Sequence, residues 1–150
     1  MGREDVSMAG KIVAVSISKS KGERKTPVAA VEFRENHGIM GDGHAGDWHR
    51  QVSLLALESI RKMQKLGLDV KAGDFAENIT TEGINLLTLP VGSRISIGGV
   101  VLEVTQIGKE CHTRCAIYYQ AGDCVMPKEG IFAKVVRGGV VKNQDAIEVL

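Results

Sequence analysis

Three cysteines, Cys111, Cys115 and Cys124, crowd one stretch of the chain, with Lys109, His112 and Arg114 among them. Positive neighbours stabilise a thiolate, the form that acts as nucleophile and as metal ligand. An odd, clustered set predicts reactive-thiol or metal chemistry rather than a disulfide framework. Zinc is an alternative. Cys111-x-x-x-Cys115 falls within zinc-ligand spacing, and Cys124 with His112 completes four ligands, although no second paired motif accompanies them. A third reading makes the cysteines small buried apolar residues.

A second polar concentration runs from His37 to Gln51 and holds three of the four histidines, His37, His44 and His49. Gly41-Asp42-Gly43-His44-Ala45-Gly46 matches G-x-G-x-x-G in letters only. A dinucleotide fingerprint needs a strand before it and a helix opening at its last glycine, and Asp42 would repel a pyrophosphate. A divalent-metal site of His and Asp ligands fits the composition. So does an anion pocket in which Arg50 forks onto an oxyanion beside glycine N–H groups. A solvated loop that merely satisfies its own turns is the plain alternative. Gly73-Asp74-Phe75-Ala76-Glu77-Asn78-Ile79 reads as a turn whose Asn78 offers an amide donor and acceptor.

These stretches need a scaffold. Lys11–Ser18 alternates, with Val13, Val15 and Ile17 on one face, and Ala29, Val31 and Phe33 alternate again. Gln51–Leu55 reads as a short strand. Ala56, Ile60, Met63 and Leu66 follow helical spacing, with Gly67 as the stop. Gly73–Thr81 is turn-rich, with Phe75 and Ile79 as buried anchors. Arg94–Ile97 and Val100–Ile107 flank Gly98-Gly99, a hairpin signal whose type I′ turn needs positive φ at both glycines. Ile131–Val136, a Gly138-Gly139 turn, Val140-Val141 and Ala146–Leu150 repeat that grammar. The pattern predicts a mainly β fold: a closed or nearly closed barrel of seven or eight short strands with one main helix. Strands and helices do not alternate, which argues against a doubly wound sheet.

The 150 residues (16.1 kDa) suit one domain, expected over 10–150 with a disordered tail at 1–9. Hydrophobic residues at 43% and charged residues at 25% are ordinary globular values. A net charge of +1 gives no general reason to expect nucleic acid or an anionic membrane. With 4% aromatics, a base-stacking surface is not expected. The N-terminus lacks the apolar core of a signal peptide, and Val6 breaks the myristoylation pattern, so the cytoplasm is the expected compartment.

Taken in order, these pieces resemble the MOSC domain, the module named after the C-terminal part of molybdenum-cofactor sulfurase. The matching segments are Gly38-Ile39-Met40-Gly41-Asp42-Gly43-His44-Ala45-Gly46, Arg50-Gln51-Val52-Ser53-Leu54-Leu55 and Gly73-Asp74-Phe75-Ala76-Glu77-Asn78-Ile79-Thr80. They continue with Leu89-Pro90-Val91-Gly92-Ser93-Arg94-Ile95, Arg114-Cys115-Ala116-Ile117 and Arg137-Gly138-Gly139-Val140.

The resemblance implies a β-barrel and a cysteine that carries sulfane sulfur or ligates molybdenum. Cys115 is the first candidate and Cys111 its competitor or resolving partner. It further implies that His44, Arg50 and Arg137 face the phosphate side of molybdenum cofactor and Gln51 or Asn78 its polar ring edge, while Arg114, counted among the cofactor-binding residues, keeps the thiolate populated together with His112. Sulfur transfer through a Cys115 persulfide is the activity it suggests. Non-catalytic cofactor binding is the alternative to that activity. The implied partners are a cysteine desulfurase and molybdenum-cofactor biosynthesis or acceptor proteins. Pyridoxal phosphate is not implied, because the desulfurase half of the fused sulfurases has no counterpart in this sequence.

Overall fold

The computed structural model describes residues 9–20, 24–108 and 129–150. The strands are β1 (Ala9–Ile17), β2 (Thr26–Val28), β3 (Ala30–Arg34), β4 (Gly38–Ile39), β5 (Val52–Ala56) and β6 (Ile79–Glu82). β7 (Arg94–Ile97), β8 (Val100–Ile107), β9 (Ile131–Arg137), β10 (Gly139–Lys142) and β11 (Ala146–Val149) follow, and among the described residues there is one α-helix, α1 (Leu57–Lys65). Seven strands in the order β11-β7-β8-β9-β5-β6-β1 close into a barrel through the β11–β1 pairing, and β2 adds to β1 outside the ring. A separate sheet runs β10-β3-β4.

Alternation dictates which side chains fill the barrel. Val100, Leu102 and Val104 of β8 and Ile131, Ala133 and Val135 of β9 point inward and are at most 1% exposed. Each large aliphatic side chain so buried contributes about 1.5–3 kcal/mol, and the interior they fill is apolar. β1 departs from the expected face. A bulge between Ile12 and Ala14 puts Ile12 rather than Val13 in the core, because an extra residue resets the inward phase. Val15 remains inside and Ile17 packs at its edge.

α1 connects β5 to β6, which pair in parallel, Leu54 opposite Ile79. Ile60 and Met63 bury the helix against Leu55, Phe75 and Phe132 on the outer wall of the barrel. Leu66, expected on that face, is 67% exposed. The helix ends at Lys65 and Leu66 is its C-cap (φ −82°, ψ 4°), so the residue has left the helical face before Gly67.

Two turns behave unlike each other. Ile97 pairs with Val100 across Gly98-Gly99 as expected, but only Gly98 has positive φ (59°), so the two-residue turn is not type I′. Gly138-Gly139 is not a hairpin turn at all. β10 pairs with β3, Gly139 opposite Phe33, so the chain changes sheets there. A Cβ on residue 138 would lie 2.4 Å from the Phe33 carbonyl oxygen, and only glycine permits that approach.

Candidate functional site

The 40–50 loop is pinned from below by a buried ion pair. Lys25 Nζ lies 2.8 Å from Asp42 Oδ1, and both side chains are fully buried. The ammonium also donates to Ser18 Oγ (3.0 Å). Asp42 Oδ1 accepts the Ser18 amide (3.1 Å) and Oδ2 the His44 amide (3.0 Å). Burial works to raise the Asp42 pKa, but the Lys25 hydrogen bond and charge, with the two amides, together hold it below its ordinary value.

From His44 the contacts run outward. The Trp48 indole N–H donates to the His44 carbonyl (2.7 Å), and the two rings lie nearly parallel, 6.2 Å apart. The Arg50 guanidinium sits 6.0 Å from the Trp48 ring and 5.3 Å from the Phe132 ring, within reach of cation–π attraction. Arg50 Nε donates to Gln106 Oε1 (3.1 Å), and His49 Nε2 lies 3.0 Å from the same oxygen. The Thr105 hydroxyl donates to the His49 carbonyl. Among the described residues, the terminal nitrogens of Arg50 have no acceptor.

This arrangement adjoins the neck from which the cysteine stretch departs. Gln106 Nε2 donates to the Gly108 carbonyl (2.8 Å), and the Gly108 amide donates to the Gly130 carbonyl (2.6 Å). β8 and β9 therefore meet at Gly108 and Gly130, next to Arg50. The site lies on the outer wall. Phe132 belongs to the cluster beneath α1, while its strand neighbours Ile131 and Ala133 point inward.

Residues 41–148 match the family described as the MOSC domain. The chain belongs to the MOSC domain family. No curated protein matches the sequence significantly. Among solved structures, the YuaD protein from Bacillus subtilis superposes with a TM-score of 0.78 at 22% identity, covering 95% of this chain and 96% of that one. YiiM from Geobacillus stearothermophilus gives 0.69 at 20% identity over 94% of this chain and 75% of that one. YiiM from Escherichia coli gives 0.68 at 18% over 95% and 70%. At such identities these likenesses establish the barrel alone.

The barrel distributes the candidate residues of this MOSC domain unevenly. His44 and Arg50 share the pinned loop. Gln51 and Asn78 are buried and engaged within the sheet. Gln51 Oε1 accepts the Val135 amide (2.9 Å). Asn78 Oδ1 accepts the Ser53 amide and hydroxyl (3.0 and 3.2 Å), while Nδ2 donates to the Ser16 carbonyl (3.1 Å). Arg137 is exposed at the far end of β9, roughly 16 Å beyond Phe132 at about 3.3 Å of rise per residue. Cys111, His112, Arg114, Cys115 and Cys124 lie outside the described residues.

Among the described residues, no cluster of three or more His, Cys, Asp or Glu side chains could hold a metal ion. No helix there is long and apolar enough to cross a membrane.

Three participants escape a reading by residue type. Lys25 sits in a charged turn segment and gives no sign that it is buried. Trp48 and Gln106 are recognisable only through the neighbours that folding brings to Arg50. Glu77 closes the 73–77 turn by accepting the Gly73 and Phe75 amides and the Thr80 hydroxyl (3.0, 3.2 and 2.9 Å). Complete burial nevertheless pushes its pKa up, outweighing those hydrogen bonds.

Proposed function

We propose that this MOSC protein works in molybdenum cofactor metabolism and binds the cofactor at the outer-wall site beside the β8–β9 neck. The observation that carries this is Arg50. Its guanidinium is oriented by Trp48, Phe132 and Gln106, yet its terminal N–H groups meet no acceptor among the described residues. A planar fork held this way suits a phosphate oxygen pair. The donor set therefore fits the phosphate of a pterin cofactor, with His49 at its flank. Gln51 and Asn78 are spent inside the sheet and Arg137 stands apart, so none of the three joins Arg50.

When bound, the cofactor supplies a redox-active molybdenum. Cys115 is the proposed soft thiolate ligand, and Cys111 follows Gly108 most closely in sequence. Arg50 binds and orients the anionic end, and Trp48 and Phe132 keep water from the guanidinium faces. The partners we propose are cytoplasmic molybdenum-cofactor biosynthesis or acceptor proteins.

The protein is purified under mild reduction from a molybdenum-replete host and analysed for metal, pterin and persulfide. Molybdenum and pterin should accompany the wild type. Arg50→Gln should lose pterin, and Cys115→Ala should lose molybdenum. Wild-type protein free of both refutes cofactor binding. A persulfide gained from a cysteine desulfurase plus cysteine, and abolished in Cys115→Ala, would instead establish the sulfur-carrier role.

A further inference from the structure

We infer that Lys25 is a positioning residue for the anion fork at Arg50, acting through a continuous relay rather than by touching the ligand. This rests on the anion-binding reading of Arg50. The relay begins at the fully buried Lys25–Asp42 pair (2.8 Å). Asp42 holds the His44 amide at 3.0 Å through its second oxygen. The His44 carbonyl takes the Trp48 indole proton at 2.7 Å, and the Trp48 ring lies under the Arg50 guanidinium at 6.0 Å.

Each link fixes the next in direction as well as distance. Asp42 accepts donors on both oxygens, so it cannot turn to release His44 without breaking the bonds from Lys25 and Ser18. The His44 carbonyl then sets the plane of the indole.

Remove the ammonium, and a buried carboxylate is left without its countercharge. It must take up a proton or draw in water, and either change frees the His44–Trp48 step. Arg50 would keep its Gln106 bond but lose one of the two rings that orient it. A fork aimed within a few tenths of an ångström binds a tetrahedral anion bidentately, whereas a loosened one binds it through single bonds. Lys25 therefore sets the affinity of a site it does not enter.

The test uses inorganic phosphate as probe and emission from Trp48, the sole tryptophan, as readout. Wild type should show saturable quenching, and Arg50→Gln none. Lys25→Met should raise the phosphate Kd at least tenfold and at least double the acrylamide quenching of Trp48. Leu102→Ala, a barrel-core variant far from the relay in sequence, serves as the stability control: it should lower Tm yet leave both readouts within twofold of wild type. If Lys25→Met does not fold, Lys25→Met/Asp42→Asn removes both charges together and is judged by the same criteria.

A folded variant with phosphate affinity and Trp48 accessibility within twofold of wild type overturns the inference. So does a Leu102→Ala control that moves both readouts equally. If wild type fails to bind phosphate, the anion reading of Arg50 falls and the affinity-setting role of Lys25 with it. Trp48 accessibility then decides separately whether Lys25 orders the Trp48 step.

Discussion

Replacing Asn78 by leucine separates a sheet-locking role from a ligand-facing one. Leucine fills nearly the same volume, so the change is mainly polar. It removes the acceptor for the Ser53 amide and the donor to the Ser16 carbonyl, at a side chain with no solvent exposure. The Ser53 hydroxyl loses less, because its one proton has an alternative acceptor in the Ala76 carbonyl, 3.1 Å away. Two buried backbone groups are thus stranded, at about 1–3 kcal/mol each, and the expected loss is about 4 kcal/mol. That is a large share of the roughly 5–15 kcal/mol that holds a domain folded. With an m-value of about 2 kcal/mol/M, the urea midpoint should fall by about 2 M. Equilibrium unfolding followed by Trp48 emission and by circular dichroism, with coincident transitions, measures it. A loss below about 1 kcal/mol would refute the reasoning and return the Asn78 amide to the pool of ligand contacts.

The two turn glycines should differ. Gly98→Ala forces a side chain into positive φ and should cost about 1–2 kcal/mol. Gly99→Ala has neither that φ nor any atom within 4 Å of the new Cβ, and thermal melts should place it within about 0.5 kcal/mol of wild type. Acid titration should expose Asp42. Its folded-state pKa lies below the ordinary value of 3.8, so its stabilisation is present above that pH and is lost as pH falls through the depressed value. Asp42→Asn should therefore be less stable than wild type by about 3 kcal/mol near neutrality, and the gap should close below pH 3.8. A gap constant with pH would refute the ion-pair account.

Strict alternation made the β7–β8 hairpin and β9 readable, because each residue's face follows from its neighbours. The same logic slipped on β1, where a bulge at Ile12/Ala14 breaks the period. β6 was hidden because Thr80, Thr81 and Glu82 look polar, whereas the flanking strands bury both threonines. β10 was readable as a strand but not in its pairing, since Gly138 carries the chain to a different sheet. At the candidate site, the crowding of His44 and Arg50 into one polar loop was legible from residue type and local density. What Gln51 and Asn78 do was not, because an amide's partners depend on which strands it lies between. Lys25 left no trace either: its burial is a property of the loop folded over it.

The ring is sealed by β11, wedged between β1 and β7. β2 covers the Val15–Ile17 part of one β1 edge, but the Ala9–Lys11 part has to wait for almost the last residues described. A nascent chain on the ribosome, or one clipped before Ala146, carries two raw margins capable of recruiting a stranger's backbone. Closure of the barrel is thus decided late, by the four-residue strand Ala146–Val149.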